Sequence, residues 1–321
     1  MGVTTEAPAP ATRNPLQRLR RFTARHGRGL TVANIFTQGG IIVTGGAVRL
    51  TGSGLGCSTW PQCEPGTFVP ELRSELGIHP YIEFGNRTLT FVLLIVAIGV
   101  ALALWDTRPD LKWWGLVPVL GVVGQAIVGG ITVLADLNPV IVAPHLLLSM
   151  GLVWQAVWLA LKYREAPRRE GRCVKTPLRV SSVLLVGLLV LGTVTTGAGP
   201  HSGDAEATER LGIDLDTAAR AHALVVWAFV AIVAYLVFRV RNDRSYGNVD
   251  EVGKAWKVLV GVTLAQGVIG YVQYFNDLPE LIVGAHLAGA AVLTAAHSAA
   301  FYLLKRDRSR VMAEAAVAGN N

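Results

Sequence analysis

The chain has 321 residues, 51% hydrophobic and only 16% charged, with a mean hydropathy of +0.43 and a formal net charge of +7. Soluble domains carry about a quarter charged residues, so this composition excludes an ordinary water-soluble enzyme or binding module and indicates a membrane protein. The basic residues fall in runs that lack interleaved aromatics and lie between apolar stretches, which argues against a nucleic-acid partner.

In chain order, residues 1–29 form a cytoplasmic tail expected to be disordered, its opening MGVTTEAPAPATRN being rich in Ala, Pro and Thr. No cleavable signal peptide is expected, because the first apolar run follows a basic tail and continues without an A-x-A-like site. Eight stretches are apolar over about 20 residues, the length a helix needs to cross a bilayer: 30–48, 82–104, 113–134, 141–162, 180–199, 220–238, 257–275 and 281–304. With the N-terminus in the cytoplasm, the runs RNPLQRLRRFTARHGR, KYREAPRREGRCVKTPLR and KRDRSR all fall on one side. The other side is acidic, with Arg49, Arg73 and Arg210 as its clear cations. That is the positive-inside pattern, with both termini cytoplasmic in an all-α integral membrane protein.

The sequence repeats itself. GQAIVGGITVLADLNPVIVAPHL, 124–146, matches AQGVIGYVQYFNDLPELIVGAHL, 265–287, pairing Gln125 with Gln266, Gly129 with Gly270 and His145 with His286. GIIVTGG at 40–46 likewise resembles GTVTTGA at 192–198. The expected organisation is two parallel-repeat four-helix bundles, 30–162 and 180–304, joined by a basic cytoplasmic linker at 163–179 and followed by a cytoplasmic tail at 305–321. A histidine that only fills space has little reason to recur where its surroundings have drifted, whereas a shared ligand site explains the recurrence.

In the second bundle His222 lies about one turn into its span and His286 a similar distance into its own, both within about 10 Å of the outer surface. Two imidazoles at matched depth on two helices suit the axial positions of a haem. Zinc is less suited, because no carboxylate or thiol lies nearby to complete a tetrahedral set. In the first bundle Asn86 stands where His222 would, and asparagine is a poor iron ligand. Glu83, one turn earlier, shares its face and can pair with Arg87, one turn later. His79 is a second candidate for the missing ligand. His201 is expected at the surface, and His297 as a polar contact near the inner face. Cys57 and Cys63, in GSGLGCSTWPQCEPG, face the oxidising side, where a disulfide can form; a metal-binding pair or cycling thiols are the alternatives. Cys173 is expected as a free cytoplasmic thiol.

TGGAVRLTGSGLGCSTWPQC, IEFGNR and the paired GQ…PHL and AQ…AHL segments resemble the haem A synthase family over nearly all of residues 30–304, most closely its members with a single outer-loop cysteine pair. The resemblance implies an eight-span oxidoreductase of the cell membrane, its haem sites toward the extracytoplasmic side. Such an enzyme oxidises one ring methyl of haem O in two steps, to a hydroxymethyl and then a formyl group, giving haem A for cytochrome oxidase. It implies haem b on His222 and His286, the substrate haem O on His145, Glu83 as the essential acid, and Cys57 with Cys63 as the outer-loop pair. Arg49 and Arg87 are candidates for the haem propionates. The implied partners are a haem O synthase, cytochrome oxidase assembly factors and the lipid bilayer. Asn86 departs from the family pattern and leaves bis-His ligation of the substrate open. Two other readings compete. A membrane haem b electron carrier of the quinol-oxidising kind predicts bis-His sites in both bundles. A transporter built on parallel repeats predicts acids at mid-depth.

Overall fold

The computed structural model describes residues 14–71, 77–164, 175–204, 207, 209–242 and 250–304. Arg73, Cys173, residues 1–13 and 165–174 and the tail at 305–321 lie outside the described residues. The elements are α1 (Pro15–Arg25), α2 (Gly27–Leu50), α3 (His79–Thr107), α4 (Lys112–Leu134), α5 (Pro139–Tyr163), α6 (Lys175–Ala198), α7 (Leu215–Asn242), α8 (Asp250–Phe275) and α9 (Glu280–Leu304). A single 3-10 turn links α3 to α4. Eight helices, α2 to α9, are long and apolar enough to cross a membrane.

The helices overrun the apolar stretches that announce them. α3 begins at His79 and not 82, α7 continues to Asn242 and not 238, and α8 starts at Asp250 and not 257. Hydropathy marks what sits in hydrocarbon, whereas intrahelical hydrogen bonds continue into the interface, where groups such as Arg239 and Arg241 are hydrated. Capping sets the actual starts. Asn138 accepts the Val140 N–H at 2.9 Å with Pro139 at the first helical position of α5. Asp214 accepts the Thr217 backbone N–H and hydroxyl, both at 2.9 Å, ahead of α7. Those bonds hold its carboxyl below the usual range.

The tail expected to be disordered over 1–29 is helical from Pro15 to Arg25. Asn14 caps α1 by accepting the Leu16 N–H at 3.0 Å, and Pro15 takes the first helical position. α1 packs mainly on α3, where Arg20 pairs with Asp106. The Asn-Pro start signal and the three-residue spacing of Leu16, Leu19 and Phe22 are the local reasons for this helix.

In the first quartet α2, α3, α4 and α5 close a ring, each packing on the next and α5 returning to α2. In the second, α6 with α7 and α8 with α9 form close pairs, joined more sparsely to each other. The quartets meet with α5 against α9 at the centre, flanked by α2 on α9 and α5 on α6. Since α2 and α5 occupy in one quartet the places of α6 and α9 in the other, the flanking contacts correspond. Ile42, Met150, Val153 and Ala291 fill this seam.

Two turns share one backbone geometry. Asp136 and Leu137, between α4 and α5, have φ of 48° and 58°; Asp277 and Leu278, between α8 and α9, both have φ of 57°. The Leu137 N–H donates to the Thr132 carbonyl and the Leu278 N–H to the Gln273 carbonyl, each at 2.9 Å. Left-handed non-glycine residues cost about 1 kcal/mol or more each. These turns set where α5 and α9 begin, and so where His145 and His286 stand.

Close packing of α4 on α5 gives a direct test. A Cβ at Gly121 would meet the Leu152 side chain, with Cδ1 at 2.9 Å and Cγ at 3.2 Å. Gly121→Val is expected to destabilise the protein by about 1–3 kcal/mol, read as a lowered thermal midpoint of the detergent-solubilised chain.

Candidate functional site

His145 lies six residues into α5, His286 six into α9 and His222 seven into α7, so all three rings stand about 9–10 Å from their helix starts. Each ring packs over a glycine of a neighbouring helix. A Cβ at Gly129 would be 3.2 Å from His145 Cε1; one at Gly270 would be 3.4 Å from His286 Cε1; one at Gly192 would be 3.4 Å from His222 Cε1. At Gly129 a Cβ would crowd the ring by a few tenths of an ångström, while at Gly270 and Gly192 it would sit in ordinary contact with it.

The Nδ1 atoms of His145, His222 and His286 are buried without a hydrogen-bond partner, although the Leu188 carbonyl faces the His222 ring. All three residues are half-buried. Their Nε2 atoms are neither bonded nor among the buried unpartnered atoms, which places Nε2 at the accessible edge of each ring. An accessible Nε2 with no protein partner, on a ring backed by a glycine, fits axial ligation of haem iron. His222 and His286 are close enough for a charge on one to act on the other.

The first quartet is different. Asn86 Oδ1 accepts a hydrogen bond from Thr44 Oγ1 at 2.7 Å, which ties α3 to α2. Gly40 occupies the place of Gly192, and nothing lies within 4 Å of where its Cβ would be. The longer imidazole fills that space in the second quartet; asparagine leaves it open. Gln125 anchors α5 beside the site by donating to the His145 carbonyl at 3.0 Å and to Ser149 Oγ.

Cys57 and Cys63 form a disulfide and are both buried. The loop they close carries the carboxylate of Glu83. Cys57 N–H donates to Glu83 Oε2 at 2.6 Å, and Arg87 pairs with Oε1, its Nε at 3.0 Å. Arg87 also donates to the carbonyls of Thr59 at 2.8 Å, Gln62 at 3.1 Å and Cys57 at 3.4 Å. So Glu83 is 5% exposed yet fully partnered. Trp60, from the same loop, lies on Gly130, whose Cβ would be 2.7–2.8 Å from ring atoms Cε2 and Cγ. The loop therefore rests on the helix turn that carries Gly129 under His145.

Sequence reasoning named Glu83, His145, His222, His286, Cys57 and Cys63, and the structure places all of them toward the same end of the helices. It brings the Cys57 amide to the Glu83 carboxylate. Arg87, a candidate for haem propionates, is instead consumed by Glu83 and three loop carbonyls, because it lies one turn from the acid. Arg49 keeps an unpartnered buried Nε and donates only to the Thr196 carbonyl, at 3.3 Å. His79 Nδ1 is tied to Ser53 Oγ at 2.8 Å, His201 Nε2 to the Leu278 carbonyl at 2.8 Å, and His297 Nε2 to Ser181 Oγ at 3.1 Å. Trp60 and Thr44 escaped the sequence reading. A tryptophan beside Pro61 between two cysteines was the available signal for the first; nothing local marks the second.

The family model described as COX15-CtaA, cytochrome oxidase assembly protein, matches residues 28–209, a stretch that holds Cys57, Glu83 and His145 but stops before His222 and His286. A protein of Bacillus pumilus named heme A synthase is 24% identical over 278 residues, 78% of this chain and 86% of its own length. Proteins of the same name from Staphylococcus epidermidis and Exiguobacterium sibiricum are 29% and 32% identical over 52% and 51% of this chain, with 55% of each relative's length spanned.

The Arg87 network makes a separable prediction. Arg87→Met leaves Glu83 Oε1 without its cation in a buried place and is expected to cost about 3 kcal/mol. Arg87→Lys recovers only part of this, because an ammonium lacks the fork that reaches the loop carbonyls and the carboxylate together. Thermal unfolding of the three proteins checks both statements.

Proposed function

Because the chain belongs to the COX15-CtaA family of cytochrome oxidase assembly proteins, we propose that it is a haem A synthase. It is a multi-pass membrane oxidoreductase that takes haem O and oxidises one ring methyl, first to a hydroxymethyl and then to a formyl group. The reading is supported by the name shared among its relatives and by three imidazoles that stand over glycines at one depth, each with Nε2 accessible. The last observation carries it. The basic runs assign the termini to the cytoplasm, and with them the histidine level to the extracytoplasmic half of the plasma membrane.

The division of labour follows the difference between the quartets. His222 and His286 would hold a haem b through Nε2, with Gly192 and Gly270 backing the rings. Such a haem, when bound, supplies one-electron transfer. His145 takes the substrate's iron from one side, and Asn86, turned to Thr44, leaves the other side without a protein ligand. A haem b electron carrier without chemistry of its own would need two histidines in each quartet, and Asn86 disfavours it.

Glu83 has two conceivable tasks, moving a proton or stabilising positive charge. Its two oxygens both accept hydrogen bonds, from Cys57 N–H and from Arg87, which is the pattern of a fixed carboxylate. It therefore acts as a preorganised negative group that stabilises positive charge developing at the substrate. The disulfide loop positions it and, through Trp60, covers the His145 side of the site. Arg49 meets a propionate, since Arg87 is already committed and the neighbouring Arg210 adds to the positive field. A haem O synthase that delivers the substrate and assembly factors that receive the product complete the proposal.

Expression with a haem O synthase, followed by extraction and chromatography of non-covalent haems, tests the function. Haem A or its hydroxymethyl precursor is expected, falling at least about 100-fold in Glu83→Ala; unchanged conversion would remove Glu83 from the chemistry. His222→Ala with His286→Ala is expected to abolish the bis-His absorption while His145 is intact. Asn86→His is expected to convert the haem in the first quartet to a six-coordinate, low-spin spectrum. An isolated protein with no porphyrin absorption would reject the whole reading.

A further inference from the structure

At the end of the first quartet opposite His145, the starts of α2 and the ends of α3 and α5 surround an open cavity of about 310 Å³. Among the described residues it is lined by Arg28, Thr107, Arg108, Tyr163 and Arg164, three cations and two hydroxyl groups. Its shape is built. Gly27 is buried against the Tyr163 ring, with a Cβ there only 2.7 Å from Cζ, and Tyr163 Oη lies 3.2 Å from Thr107 Oγ1. Arg108 is the anchor, holding the carbonyls of Lys162 and Tyr163 at 3.1 Å each and pairing with Asp110.

The cavity lies beside α1, which ends three residues before Arg28. Leu16, Leu19 and Phe22, spaced by three, are 56%, 48% and 55% exposed on one face of α1. Arg18, Arg21 and Arg25 are exposed on the adjoining face. An apolar stripe beside a basic one, on a short helix joined directly to a membrane span, is the pattern of a helix lying in the headgroup layer. A basic pocket between spans at the same level complements a phosphodiester.

We propose that this end of the first quartet is a binding site for an anionic phospholipid. Its phosphate sits in the cavity between Arg28 and Arg164, and its acyl chains run along Leu16, Leu19 and Phe22. The site would fasten α1, and with it the start of α2, to the leaflet that the charge distribution assigns to the cytoplasm. Both Arg28 and Arg164 are exposed, and Arg108, which holds the Lys162 and Tyr163 carbonyls, is left in place.

The test is native mass spectrometry of the full chain released from detergent, titrated separately with phosphatidylglycerol, phosphatidylcholine and inorganic phosphate. Phosphatidylglycerol adducts are expected at several times the occupancy of phosphatidylcholine. Arg28→Gln with Arg164→Gln is expected to weaken them by roughly 25-fold, about fivefold per arginine. Leu16→Ser with Phe22→Ser is expected to lower their occupancy severalfold with the pocket unchanged. Equal occupancy of the two lipids, or an arginine double variant that binds as well as the parent, overturns the proposal. Displacement of phosphatidylglycerol by millimolar inorganic phosphate overturns the lipid assignment in favour of a free-phosphate site. An unaltered Leu16 and Phe22 variant overturns the part given to α1.

Discussion

Hydrocarbon supplies no hydrogen-bond partner, so a polar side chain inside a spanning helix must find one in the protein or in something the protein holds. Asn86 finds Thr44, Gln125 finds Ser149 and the His145 carbonyl, and His297 finds Ser181. Nε2 of His145, of His222 and of His286 finds none. Their Nδ1 atoms are buried without a bond, each ring rests over a glycine, and Nε2 lies at the accessible edge. Ordinary packing offers no reason to put three imidazoles in that state at one depth. Ligation of haem iron through Nε2 does, and the functional proposal depends on these three accessible ring nitrogens.

The two quartets share a frame and differ in how it is finished. The matched Asp-Leu turns, both left-handed and closed by corresponding hydrogen bonds, fix the register at which α5 and α9 start. With register fixed, a change at one position alters chemistry without moving the scaffold. Asparagine in place of histidine at 86 frees space beside Gly40, while Thr44 binds its amide so that no buried polar group is stranded. The second quartet keeps both rings and needs no elaborate loop over them.

The disulfide loop is the feature that the first quartet has and the second lacks. Its covalent closure matters through its backbone: one amide and three carbonyls of residues 57–62 hold Glu83 and Arg87. A buried carboxylate in a span is costly unless charge and hydrogen bonds are met together. The loop, together with Arg87, meets them. It thus converts what would be an unstable acid into a fixed one, and it lays Trp60 on α4 beside the glycine under His145.

The sequence by itself located the eight spans and the cysteine pair, showed that segments of the two halves match, and marked the three histidines and Glu83 as candidates. Those properties are local or periodic: apolar length selects a span, and an offset of 141 residues between matching segments needs no coordinates. It underestimated helix ends, because hydropathy stops at the interface and hydrogen bonding does not, and it missed α1, whose short amphipathic pattern was submerged in a basic tail. Only the tertiary structure decided which cation serves which anion. Arg49 and Arg87 are equivalent by topology, but Arg87 lies one turn from Glu83 beneath loop carbonyls that the chain brings from some 25 to 30 residues away. It also decided that Thr44 restrains Asn86 and that Trp60 closes on Gly130. Such contacts join residues far apart in the chain, and the directions of their side chains follow from how helices pack, which no local pattern encodes.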